Sequence, residues 1–181
     1  MDVETLKAEL AGVMRVFEKP FAAKGMLFNY NIPFLDSIFD KVIFVRIKRD
    51  PLMNIQSVLY ARERQLGNRD AWYSFDIPEK EELMKLSPIE QAAGQVACIN
   101  RAIDQGLEYV ADERKLAVQY EDFCSSPESF FRAMLSLLSH QGCEVAKDYQ
   151  AERCFSSSNQ LVLSKADADN ALAVYRAYYN A

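Results

Sequence analysis

Histidine is nearly absent: His140 is the only one in 181 residues. A histidine-based metal site, and any mechanism that needs two histidines, is thereby excluded. The four cysteines, Cys98, Cys124, Cys143 and Cys154, form no Cys-x-x-Cys pair. That removes the short-spaced redox and zinc patterns and leaves free thiols in a reducing, cytoplasmic setting as the expectation, with no metal. Glycine and proline number six each, and no repeat or low-complexity tract is present, so fibrous and disordered classes are excluded. Excess positive charge is missing too. Lys and Arg total 21 against 26 Asp and Glu, a net charge of −5, which argues against a general nucleic-acid binder. No apolar run is long enough to span a bilayer. The N-terminal stretch MDVETLKAELAG is acidic and amphipathic, unlike a signal peptide.

What is there is globular. Half of the residues are hydrophobic and 12% are aromatic, and the length fits one domain, residues 1–181, with a substantial core. Val3, Leu6, Leu10, Val13 and Phe17 recur at helical spacing and predict a helix from Asp2 to about Ala23. Leu27–Asn31 reads as a short strand, and Phe34–Phe39 as a short helix. Lys41–Ile47, KVIFVRI, is the clearest strand, apolar enough to be covered on both faces. Asp50-Pro51 then has the form of a helix N-cap and first turn, and Gly67-Asn68 ends that helix near Leu66. Its inward stripe is Ile55, Val58, Leu59 and Arg62.

Residues 69–88 are polar but carry Trp72, Tyr73 and Phe75, a surface excursion with a short helix inside it. A long helix follows from Pro88 to about Tyr109. Lys115–Tyr120 is a third strand, Ser126-Pro127-Glu128 opens a helix, residues 154–163 form a loop, and Ser164–Tyr179 is the last helix, with Asp167 completing a capping box. Strands alternating with helices predict an α/β domain with parallel pairing.

The segment with chemical content is Val45–Ser57, VRIKRDPLMNIQS. A buried-type strand ends in Arg46, Lys48 and Arg49 inside an acidic chain. Ligands of parallel sheets bind beyond the carboxyl ends of strands. An arginine fork and helix N-terminal amides both favour phosphate. Ser57, two turns into the helix, adds a hydroxyl, and Asn54 lies near it. From spacing alone, an ordinary strand-to-helix turn with solvated cations is a slightly better account.

This segment resembles the 3′-phosphate-binding segment of sulfotransferases that use 3′-phosphoadenosine 5′-phosphosulfate, particularly the bacterial and tyrosylprotein-type members. That motif is a hydrophobic strand, Arg-Asp/Asn-Pro, and a Ser eight residues after the Arg, the spacing of Arg49 and Ser57. Val118–Phe123 followed by Ser126-Pro127-Glu128 resembles the family's strand ending in Tyr-Glu-Asp-Leu with a downstream Pro. The likeness covers about residues 20–140. It implies a P-loop NTPase-like sulfotransferase fold, a partial parallel sheet flanked by helices. It implies Arg49 and Ser57 on the 3′-phosphate, Tyr120 near the adenine, and transfer of a sulfuryl group from the nucleotide donor to a hydroxyl or amine acceptor.

The chain also departs from the pattern. It contains no G-x-x-x-x-G-K-[ST] and no comparable phosphate loop, so the expectation is a domain beginning after that unit, incomplete and inactive by itself, with an open strand edge at which two copies pair. No catalytic residue is identified: Asn31 stands about where some members carry a histidine base, and asparagine cannot serve. Phe155–Asn159 offers hydroxyls and an amide suited to phosphate or adenine. Two other readings stay open. One is another phosphate-binding α/β enzyme, such as a nucleotide kinase. The other is a non-catalytic interaction module using Ala71–Phe75 as its contact surface.

Overall fold

The computed structural model describes residues 2–157 and 159–181. It is a mixed α/β structure in which helices flank a small parallel sheet. That sheet has two strands among the described residues, β1 (Phe44–Lys48) and β2 (Lys115–Gln119), paired in parallel from Phe44↔Lys115 to Lys48↔Gln119.

The expected strand at Leu27–Asn31 is instead a 3-10 turn, Met26–Phe28, running into helix α2 (Ile32–Ile38). Asn29 and Asn31 favour turns over ladders, and the Asn31 amide bonds the Phe28 carbonyl. Helix α1 covers Val3–Phe17, shorter than expected, and ends with Glu18 in the left-handed region at φ 52°. Pro20 accounts for the early stop, because it lacks a donor and disfavours helical backbone at Lys19. None of the α1 residues is buried.

Helix α3 (Pro51–Leu66) has the expected bounds. The Asp50 carboxylate accepts the backbone amides of Leu52 and Met53 at 2.8 and 3.3 Å, and Gly67 takes φ 66° at the other end, a conformation glycine adopts without a Cβ clash. After the short α4 (Lys80–Leu83) comes α5 (Pro88–Glu108), whose capping box joins Ser87 and Glu90. Chain beyond β2 turns directly into α6 (Tyr120–Ser125), then α7 (Pro127–His140) and α8 (Lys165–Tyr179). Ser164 caps α8 by accepting the Asp167 amide at 3.1 Å.

The main core lies between α3, α5 and α8, where Ile55, Leu59, Ala92, Ala93, Val96 and Ala171 meet. A second cluster, Ile77, Leu83 and Cys98, is covered by Trp72 and Phe75. The aromatic excursion is thus packed inward, which takes Trp72 and Phe75 away from the contact surface that an interaction module would need. The wholly buried Arg62 holds this excursion down. Its guanidinium donates to the Arg69 carbonyl at 3.2 Å, to Gln91 at 2.9 Å and to Gln95 at 3.3 Å, and it lies 5.6 Å from the Trp72 ring. Gln95 in turn donates to the Tyr73 carbonyl at 2.8 Å. Burial lowers the Arg62 pKa from its ordinary value, an effect that Asp70 opposes.

β1 is covered on one face only, against expectation. Arg46 donates to Asn100 and Asp104 of α5 at 2.8 and 3.3 Å. On the other face Val45 and Ile47 are 38% and 55% exposed. No helix among the described residues is long and apolar enough to cross a membrane.

Gly94 lets α4 close on α5. A Cβ at that position would stand 2.2 Å from Leu83 Cδ2, and Leu83 has no exposure. Gly94→Ala gains about 1 kcal/mol of helix propensity but overpacks this contact, at a typical cost of about 1–3 kcal/mol. Urea denaturation is expected to show a net loss of about 1 kcal/mol. A gain would show that Leu83 moves aside freely.

Candidate functional site

The β1–β2 register determines what stands at the end of the sheet. Lys48 pairs with Gln119, so the next residues along, Arg49 and Tyr120, are neighbours as well. The Arg49 guanidinium lies over the Tyr120 ring, 4.7 Å from its centroid. Both residues leave the sheet at its carboxyl end, Arg49 into the turn before α3 and Tyr120 into α6.

An open cavity of about 560 Å³ begins at Arg49. One wall is α3, contributing Met53, Gln56, Ser57 and Tyr60; the other is the segment before α8, contributing Ser157, Asn159, Gln160 and Val162. Met53, Ser57 and Tyr60 follow each other at i, i+4 and i+7, so one face of α3 looks into the cavity. The structure therefore brings Arg49 and Ser57 to one site. Tyr120 abuts that site through Arg49 but does not line the cavity. Asn54 is not among the lining residues either. Arg46 and Lys48 lie elsewhere: both approach Asp104, at 3.3 and 3.8 Å, and they line a separate hollow with Tyr179.

The segment opposite α3 is tied in place at two points. Gln56, buried on α3, donates to the Gln160 carbonyl at 2.9 Å and accepts the Val162 amide at 2.7 Å, a side chain replacing a strand partner. Asn159 bridges two charges. Its carbonyl oxygen accepts from Arg49 Nε and Nη2 at 3.1 and 2.7 Å, and its amide donates to the Glu121 carboxylate. Gln119 donates to the other Glu121 oxygen at 2.9 Å. Asn159 thereby joins the Arg49 guanidinium to the Glu121 carboxylate.

Of the run Phe155–Asn159, Ser157 and Asn159 reach the cavity, while Ser158 lies outside the described residues. Phe155 stacks on Phe123 at 5.7 Å, anchoring the segment to α6. His140 sits in the last turn of α7, its Nδ1 2.9 Å from the Ser136 carbonyl, remote from these residues in the chain. Asn31 is the residue before α2. The residues that the sequence does not single out are Gln56, Tyr60 and Glu121. Tyr60 has a signal, since it follows Ser57 by one helical turn. The role of Glu121 emerges only when Asn159 is beside it.

Comparisons with protein-family models, with curated proteins and with solved structures return no match.

Desolvation pushes the Glu121 carboxyl up, but its own backbone amide, the Asn159 and Gln119 side chains and Arg49 outweigh it and hold the pKa below the ordinary 4.5. A depressed carboxyl contributes its stabilisation above the unfolded-state value and loses it as pH falls through the lower folded-state value. Acidification below pH 4.5 is thus expected to free the Asn159 amide, seen as a shift of its side-chain NMR signals, and Glu121→Gln is expected to abolish that shift. Signals that titrate equally in Glu121→Gln would assign the change to another group.

Proposed function

We propose that this chain carries the 3′-phosphate half of a donor site for 3′-phosphoadenosine 5′-phosphosulfate, in a sulfotransferase domain of P-loop NTPase-like fold. The observation that carries the proposal is the convergence of Arg49 and Ser57 on one cavity at the carboxyl end of a parallel strand. In this account the phosphate displaces the Asn159 carbonyl from Arg49 Nε and Nη2, the fork then takes two phosphate oxygens, as guanidinium groups do, and the Ser57 hydroxyl donates to a third. The Asp50 carboxylate caps the first amides of α3. The anion consequently approaches the side of the helix, where Ser57 stands, and not its end. Tyr120 does not line the cavity and bears on the nucleotide through Arg49, whose guanidinium lies over its ring.

Sulfuryl transfer is an in-line displacement: the acceptor oxygen or nitrogen bonds to sulfur as the bond from sulfur to the bridging phosphate oxygen breaks, and the acceptor gives up its proton. By analogy with phosphoryl transfer, positioning and charge stabilisation supply most of the acceleration. Arg49 and Ser57 contribute to the first by holding the nucleotide away from the reacting bond. No residue of this chain is assigned to the reacting end. A cytoplasmic setting, with the nucleotide donor and a hydroxyl or amine acceptor as partners, belongs to the same proposal.

Calorimetry with adenosine 3′,5′-bisphosphate tests it. The parent chain is expected to bind, Arg49→Ala to weaken binding at least tenfold, as loss of a charged hydrogen-bonding pair does, and Ser57→Ala to weaken it by about fivefold. Binding unchanged in Arg49→Ala would overturn the phosphate assignment, and a preference for ATP would favour the kinase class.

A further inference from the structure

The cavity has two chemically different ends. Arg49 is the charged one. At the other, farther along α3, Tyr60 is 46% exposed, and the apolar Met53 and Val162 also line the cavity. Ser57 and Tyr60 are neighbours on the helix surface, with about 5–6 Å between Cβ atoms at this spacing. The ring of Tyr120, in contrast, does not line the cavity and has the Arg49 guanidinium over it. A simple anion held by Arg49 and Ser57 would leave the Tyr60 end unused. A phosphate that carries a planar ring would use both ends.

We propose that Tyr60 is the stacking platform for the ring of the bound nucleotide, so that the cavity selects a nucleoside phosphate over a bare anion. The inference rests on the assignment of Arg49 and Ser57 to a phosphate and specifies what that phosphate must carry. Stacking on an aromatic face tolerates any base, because every base presents a π-face. The phenol suits a half-exposed wall, offering an apolar ring while its hydroxyl stays wet.

The test titrates the full chain with adenosine 3′,5′-bisphosphate and, as a probe without a ring, inorganic pyrophosphate. Tyr60→Ala is expected to weaken the bisphosphate about fivefold or more and to leave pyrophosphate affinity unchanged, whereas Tyr60→Phe keeps both. Should Tyr60→Ala fold poorly, Tyr60→Leu, which keeps apolar bulk without a π-face, is read instead with the same expectation. If neither the Ala nor the Leu variant affects the bisphosphate while Arg49→Ala does, the stacking role is wrong and the anion site stands. If the Tyr60 variants weaken both probes equally, Tyr60 only shapes the wall, and the proposal falls. If the parent binds neither probe, the phosphate assignment falls, and this inference with it.

Discussion

The parallel register of β1 on β2 is the constraint on which the site depends. Pairing Lys48 with Gln119 makes Arg49 and Tyr120 the first residues beyond the sheet on adjacent strands. From that point the two chains diverge, one into α3 and the other into α6, and the cavity begins where they part. The Asp50-Pro51 step starts α3 at once, so no loop intervenes to move Ser57 out of line with Arg49. A one-residue slip of β1 along β2 would turn the β1 side chains to the opposite face. It would also separate Arg46 from Asn100 and Asp104.

A second set of bonds gives this open sheet end its other wall. The chain returns after α7 and is fastened opposite α3 by Gln56, by the Arg49–Asn159–Glu121 bridge and by the Phe155–Phe123 stack. These are side-chain contacts to an irregular segment, not a ladder. Such contacts are individually modest, roughly 0.5–1.5 kcal/mol each, which suits a wall that must admit a ligand. The rigid part lies behind it, in the α3–α5–α8 core and in the buried Arg62 network that pins residues 69–75. Because Arg62 is enclosed by amides and a carbonyl, its removal would take from the buried Gln91 and Gln95 side-chain oxygens the donor they accept from, a costly outcome.

Legibility from the sequence follows punctuation. Both ends of α3 are readable to the residue because Asp50-Pro51 and Gly67 have single structural meanings there, and the same holds for Ser164 at α8. Arg62 falls on the inward stripe by simple periodicity. Leu27–Asn31 misleads because strand composition says nothing about whether a partner strand exists, and here the asparagines take the backbone into turns. The length of α1 misleads because no residue of its apolar stripe is buried and Pro20 decides where it stops. In the site, Arg49 and Ser57 are local to one motif and legible from it, and Tyr60 is within reach of the same helical arithmetic. Asn159 is legible as a candidate in the run Phe155–Asn159 but not as a partner of Arg49, since 110 residues separate the two and only the return of the chain brings them together. The open face of β1 is likewise invisible in a run of apolar residues that reads as buried on both sides.

The central claim is that Arg49 and Ser57 hold one phosphate between them. A crystal structure of the chain with adenosine 3′,5′-bisphosphate tests it most directly. The account predicts the 3′-phosphate within hydrogen-bonding distance of both the Arg49 guanidinium and the Ser57 hydroxyl, in the cavity that α3 lines together with Ser157, Asn159, Gln160 and Val162. A nucleotide bound elsewhere, or bound here with its 3′-phosphate out of reach of Arg49, would contradict it.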